Sequence, residues 1–323
     1  MSTVYLNRQA LTACEMAGRM AIKEDGKIIQ SLALQDVERV VITGHAHIST
    51  ALVERLLEQG TPVIYLKGGG KTLGVTVPAV HKTSRFISQV RMMDDGQACI
   101  VFAKDIIRQK IESECALLSD YIRNSRIADL KDNLQTLKIY LNVLFTQSTI
   151  NGVRGVEGIA AREYFNSFSA ILAGSGYEWT GRKKHPSPDP VNALLSYGYA
   201  IIAGEIAAAL HLAGLNTGIS YVHAIDDYRD SLVYDFLEPF RAPLIDRLVI
   251  RMFNLKMLKA SDFYYEEEQC LLKEDGRSRF IAAYDKMMCQ NTIDDKMPNR
   301  EYIKNMVNNF AKTLDANYGN AKH

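Results

Sequence analysis

Cysteine is sparse in this sequence and nowhere paired: Cys14, Cys99, Cys115, Cys270 and Cys289 stand far apart with no CxxC among them. That spacing excludes a zinc knuckle, and an odd set of scattered thiols is no disulfide framework. Reduced core residues of a cytoplasmic protein are expected instead. A dominant charge is equally lacking. Lys+Arg 38 against Asp+Glu 37 leaves a formal net charge of +1, which excludes a binder that coats nucleic acid through bulk charge and confines any such contact to a local patch. The N-terminus MSTVYLNRQ has no basic segment followed by an apolar core, so no secretory leader is expected. The longest apolar stretch, 191–214, is interrupted by Glu205 and His211 and reads as a buried core helix rather than a membrane span. Biased tracts and internal repeats are absent as well.

With 47% hydrophobic and 23% charged residues a packed core is expected, and a chain of 323 residues suits two domains of roughly 100–200 residues each. From residue 3 to about 77 the apolar residues come in short β-branched runs separated by turn residues, the pattern of strands. MAIKEDGKIIQ reads as a hairpin turning at Glu24, Asp25 and Gly26. ERVVITG and TPVIYLKG read as strands flanking ISTALVERLLEQG, a helix that Ser49 or Thr50 caps and Gly60 ends. Beyond Pro78 the apolar spacing changes to three and four. This predicts helices at roughly 84–123, 128–150, 157–173, 190–213, 230–260 and 299–315, interrupted by a hairpin around CLLKEDGRSRF. GYEWTGRKKHPSPDP is a Pro-rich basic loop between two of them. The expected fold class is α+β, with a small β-rich N-terminal domain over 1–80 and a larger all-α domain over 81–323.

LKGGGKT is no phosphate-binding loop, because that motif needs a glycine five residues before Gly70 and Tyr65 stands there; a β-turn is the reading. His45 and His47 in GHAHIS have no third ligand nearby and read as loop or cap residues. Asp235 and Glu238, three apart in YDFLE, share a helix face and can aim two oxygens at one ion. The commoner arrangement for such a pair is a solvated face with Arg241 pairing Glu238, and a lone histidine such as His223 is more often structural than catalytic. Glu157 lies between Gly155 and Gly158 at the start of a predicted helix. There it either complements the helix N-terminus or meets a ligand that the glycines let approach. Taken together, Glu157, His223 and the carboxylate pair form a mixed oxygen and nitrogen donor set suited to Mg2+ or Mn2+ and to phosphodiester chemistry.

Four segments in order, VRGVEGIAAREYF, RKKHPSPDPVNALLSYGYAII, GLNTGISYVH and SLVYDFLEPFRAPLIDRLV, resemble the universal integrase of CRISPR adaptation, CRISPR-associated protein one. The likeness spans essentially the whole chain. It implies a metal-dependent DNA endonuclease and integrase that joins the 3′-hydroxyl ends of short DNA fragments to repeat phosphodiesters in a CRISPR array. It implies Glu157, His223 and Glu238 as ligands of Mg2+ or Mn2+, with Asp235 competing with Glu238 for one ligand position or standing close behind it. Arg162, Arg182, Lys183, Lys184 and Arg241 become candidate phosphate contacts, and Asn192 and Tyr199 candidates for positioning DNA or supporting the site. The implied partners are double-stranded and branched DNA, a second copy of the chain paired through the N-terminal domain, and a small CRISPR-associated protein; a membrane is not among them. The segment AIDDYRD after His223 is more acidic than the family's pattern, and Asp226, Asp227 and Asp230 would repel a DNA backbone. A structure-selective nuclease acting on branched DNA in repair would use the same donor set with water as nucleophile. A silent DNA-binding scaffold would bind no metal.

Overall fold

The structure, a computed structural model, describes residues 2–67, 71–79, 82–125, 127–184 and 186–319, so the glycine run of LKGGGKT at 68–70 lies outside the described residues. The chain begins with β1 (Ser2–Leu6), then β2 (Thr12–Met16), β3 (Arg19–Glu24), β4 (Lys27–Ala33), β5 (Val37–Ile42), the short β6 (His47–Ile48), helix α1 (Thr50–Glu58), β7 (Val63–Lys67) and β8 (Lys71–Thr76). Two four-stranded sheets result, ordered β1-β5-β7-β8 and β4-β3-β2-β6. The expected hairpin turns at Asp25 and Gly26, both at positive φ. Parallel pairing of β1 with β5 and of β5 with β7 explains why VERVVI and VIYLK are rich in β-branched residues, since such strands are covered on both faces. One cover is α1, which buries Leu52 and Leu56 one turn apart and is capped by Ser49 Oγ accepting from Leu52 N at 3.3 Å.

The rest of the chain is mostly helical: α2 (Thr83–Asp94), α3 (Gly96–Ser125), α4 (Leu130–Thr146), α5 (Ile150–Asn166), α6 (Phe168–Leu172), α7 (Pro190–Leu212), α8 (Ser231–Leu237), α9 (Arg247–Asn254), the hairpin β9 (Phe263–Glu266) and β10 (Gln269–Leu272), α10 (Glu274–Met288) and α11 (Asn299–Tyr318). Helix α7 has the length and apolarity of a membrane span, yet 89% of its apolar window is enclosed by other elements. Asp189 caps it by accepting from Asn192 N at 2.8 Å.

The structure departs from several sequence expectations. The predicted helix 84–123 is two helices, because Asp95 leaves helical geometry (ψ 86) and its carboxylate accepts from Ala98 N at 3.0 Å as a new cap. Helix α5 starts at Ile150, not near 157, since Thr149 Oγ1 accepts from Gly152 N at 3.1 Å. Glu157 therefore sits two turns inside the helix, too deep for charge complementarity at its start. The predicted helix 230–260 ends at Asn254 and is irregular: after α8 comes a 3-10 turn at Glu238–Phe240 and a π-helical stretch at Arg241–Asp246. Pro239 and Pro243 supply no N–H to a regular ladder there. The hairpin turns at Glu267 and Glu268, with Glu267 at positive φ, earlier than CLLKEDGRSRF suggested. The Asp275-Gly276 pair that resembles a turn instead opens α10, where a Cβ on Gly276 would stand 3.1 Å from both Cβ and O of Asp262.

Candidate active site

Four elements meet around one buried point. Helix α3 supplies Lys110, α5 supplies Glu157, the loop before α8 supplies His223, and the irregular helix after it supplies Asp235, Glu238 and Arg241. Asp235 is fully buried and Glu238 nearly so, so the solvated-face arrangement of this pair does not hold. The two carboxylates share a face as their spacing required, but they take opposite edges of the His223 ring. Asp235 Oδ1 lies 2.7 Å from Nδ1, and Glu238 Oε1 lies 3.7 Å from Nε2.

The remaining valences of Asp235 are spent on the loop that carries His223. Its Oδ2 accepts from Tyr221 N at 2.8 Å and Val222 N at 3.1 Å, its Oδ1 accepts from His223 N at 3.1 Å, and Ser220 Oγ donates at 2.8 Å. A carboxylate so saturated with donors has no oxygen left for an ion. Asp235 holds Nδ1 as the protonated nitrogen and leaves Nε2 with its lone pair toward Glu238, the arrangement of a carboxylate behind a metal-binding histidine. Arg154 of α5 also braces this loop, its Nε donating to the Val222 carbonyl.

Glu238 and Glu157 are joined by a lysine. The Lys110 ammonium contacts Glu157 Oε1 and lies 2.7 Å from Glu238 Oε2, while Arg241 Nε lies 3.0 Å from the same Glu238 oxygen. Burial works to raise the Glu238 carboxyl, but Arg241 and Lys110 outweigh it and hold the group well below the usual carboxylate range. Burial likewise opposes the Lys110 charge, and Glu238, Glu157 and Glu114 together push its pKa above the ordinary lysine value. Glu114, one turn further along α3, is pushed up to about 8 by burial despite Lys110, and its Oε2 is buried without a hydrogen-bond partner.

Among the described residues, no three His, Cys, Asp or Glu side chains stand close enough to hold an ion as they are. In this structure the Lys110 ammonium stands between Glu157 and Glu238, two of the three expected ligands, and His223 borders Glu238. The chemistry of the set nonetheless fits a divalent cation, because two hard oxygens already embrace one positive charge and an imidazole lone pair borders them. Asp226, Asp227 and Asp230 lie exposed on the loop between His223 and α8. His45 and His47 are exposed at the N-terminal sheets and join no such cluster among the described residues.

The candidate phosphate contacts separate into two groups. Arg162, Lys183 and Lys184 are exposed, and partial desolvation, then Arg241, lowers the Lys184 pKa. Arg182 is instead held inside, donating to Asn192 Oδ1 at 2.9 Å and Ser196 Oγ at 3.0 Å. Asn192 is fully buried and also accepts from Lys183 N at 2.8 Å and donates to the Gly181 carbonyl at 2.9 Å, so it pins the basic loop rather than meeting a ligand. Tyr199 is buried, its hydroxyl donating to Asp246 and its ring lying 4.5 Å beneath the Arg241 guanidinium. Of the two roles open to Asn192 and Tyr199, the geometry is that of support.

The sequence reading missed Lys110, Glu114, Arg154 and Asp246. Lys110 and Glu114 had a usable signal, since they fall on the buried stripe of α3 with Ala103, Ile107 and Leu117, and charged residues at apolar spacing are inside only when paired.

Comparison with known proteins places this architecture. The family model described as CRISPR associated protein Cas1 matches residues 4–286. A relative from Thermodesulfovibrio yellowstonii, CRISPR-associated endonuclease Cas1 1, is 32% identical over 296 residues, covering 90% of this chain and 92% of the relative. Among solved structures, a casposase bound to integration product superposes with TM-score 0.86 at 21% identity, over 100% of this chain and 94% of that one. A Cas6-RT-Cas1–Cas2 complex contains a chain that matches with TM-score 0.84 at 22% identity, over 99% of this chain and 35% of that one.

Proposed function

Because the chain belongs to the Cas1 family of CRISPR-associated endonucleases and integrases, we propose that it is a divalent-cation-dependent enzyme of spacer acquisition that joins the 3′-hydroxyl ends of short DNA fragments to repeat phosphodiesters. Glu157, His223 and Glu238 hold Mg2+ or Mn2+, and Asp235 is the residue behind the histidine. The observation that carries this reading is the placement of Glu157 and Glu238, from two elements, on one buried ammonium, with the His223 ring from a third element bordering Glu238.

Bound there, the ion supplies the Lewis acidity that lowers the pKa of an attacking hydroxyl and offsets charge gathering on the phosphate. The protein's own groups do the rest. Asp235 fixes the imidazole tautomer, so that Nε2 and not Nδ1 faces the ion position. Arg241 and Lys110 keep Glu238 ionised in a buried setting. Lys183, Lys184 and Arg162 take phosphates of the approaching DNA, and Arg182 with Asn192 fixes the loop bearing the two lysines. The strand-rich N-terminal region, 1–80, pairs two copies of the chain. Support comes from β4, an edge strand with Ile28 and Ile29 exposed by 52% and 53%, a surface that a monomer would be expected to protect. A Cas2-like protein is the partner that the matched complex suggests.

Glu157→Ala and His223→Ala should abolish joining of a labelled fragment to a branched repeat DNA in Mn2+ while DNA binding and circular dichroism persist. Full joining by either variant overturns the ligand assignment. On the same branched DNA, hydrolysis without any joining would replace the integrase reading with that of a repair nuclease.

A further inference from the structure

Lys110 has no part in the ligand set just proposed, yet it lies nearer to both carboxylate ligands than His223 does. Its side chain is only 6% exposed, and it contacts Glu157 and Glu238 together. Arg241 adds a second fixed cation on Glu238. Two carboxylates against two cations leave the centre near neutrality, so an arriving divalent ion meets little net attraction while Lys110 keeps its place. The ion and the ammonium want the same oxygens.

A second position for the ammonium is built in. Glu114 follows Lys110 by one helical turn, at i+4 and so on the same face of α3. Its Oε2 is buried and unpartnered, which is a costly arrangement unless something comes to satisfy it in another state. A lysine on a four-carbon stem can turn from one carboxylate group to the other without moving the helix.

We propose that Lys110 is an internal counter-ion that competes with the divalent cation, holding Glu157 and Glu238 together in the metal-free protein and passing to Glu114 when the ion binds. The proposal rests on the reading of Glu157, His223 and Glu238 as ligands, and it makes Lys110 a positioning residue. Metal affinity then depends on two residues that never touch the metal. Lys110→Met should strengthen the site by removing the competitor, whereas a merely structural lysine would weaken it when lost. Glu114→Leu should weaken metal binding by removing the place to which the ammonium goes, while leaving the metal-free fold intact or firmer.

The test is Mn2+ titration of the full-length, DNA-free protein, followed by the electron paramagnetic resonance of free Mn2+. Lys110→Met should bind Mn2+ at least tenfold more tightly than the wild type, and Glu114→Leu at least threefold more weakly. Affinity for Mn2+ that is unchanged or reduced in Lys110→Met overturns the proposal. Should that variant fail to fold, Lys110→Gln is read against the same criterion, and unchanged affinity in Glu114→Leu overturns the two-position device. Glu157→Ala separates the two levels of the argument: if it binds Mn2+ like the wild type, the ligand reading fails, whereas if it abolishes binding and the Lys110 variants leave binding unchanged, only the counter-ion proposal fails.

Discussion

Asp235 receives two hydrogen bonds from the backbone of Tyr221 and Val222, one from His223 N, one from Ser220 and one from the imidazole. Replacement by asparagine keeps the shape and turns one of its two acceptors into a donor that faces donors. Asp235→Asn should therefore cost about 1–3 kcal/mol of stability, the usual penalty of leaving buried polar groups unsatisfied. It should also weaken Mn2+ binding by roughly ten- to a hundredfold, the range seen when the group behind a metal-binding histidine is lost. Urea denaturation and a Mn2+ titration measure the two effects; stability and Mn2+ affinity both equal to wild type would show that the loop does not depend on this carboxylate. The spacing of Asp235 and Glu238 told which helix face they share. It could not tell that His223 would stand between them, because that depends on where a separate loop docks.

At the scale of elements, α7 is the helix against which the site is built, and glycine is what lets its neighbours close in. A Cβ at Gly198 would lie 2.7 Å from Ile245 Cγ2 and 2.9 Å from Phe280 Cζ, both in fully buried side chains. Ile245 belongs to the π-helical stretch that begins at Arg241, so pressure there is felt beside Glu238. Gly198→Ala gains about 1 kcal/mol of helix propensity and loses about 1–3 kcal/mol to overpacking. The expected result is a lower urea midpoint together with reduced DNA joining, and a raised midpoint would mean that the core accommodates the methyl. Long regular elements such as α7 and α11 were legible in the sequence because apolar spacing alone defines them. The break at Asp95, the early start of α5 and the π-helical stretch were not. Each turns on one local hydrogen bond or on a proline that removes one, and hydrophobic periodicity is blind to both.

Across the whole molecule, the strand-rich region and the helices are tied together at Glu205, the residue whose charge argued against a membrane span in the first place. Arg39 of β5 reaches Glu205 Oε2 at 2.5 Å, Arg300 of α11 reaches it at 3.0 Å, and Tyr284 of α10 donates to Oε1 at 3.1 Å. Burial works to raise this carboxyl, but Arg300 and Arg39 overcome it and lower its pKa from the ordinary 4.5 to about 2. A carboxyl lowered on folding stabilises the native state fully above its unfolded value, and that contribution is lost as pH falls through the folded value. The shift corresponds to about 3 kcal/mol at neutral pH. Wild-type stability should hold down to about pH 5 and then fall toward pH 2 through this group. Glu205→Gln removes the carboxylate that Arg39 and Arg300 share and leaves them paired only with Glu38 and Asp285, which should cost about 1–3 kcal/mol at pH 7. The same variant should also show a shallower loss of stability between pH 5 and pH 2, because the titrating group is gone. Urea midpoints at pH 7, 5 and 3 for both proteins decide the matter. An equal slope in the two would mean that Glu205 is not what couples the sheets to the helices in acid, and that the tie is carried by apolar packing of α7 against β7 and β8 instead.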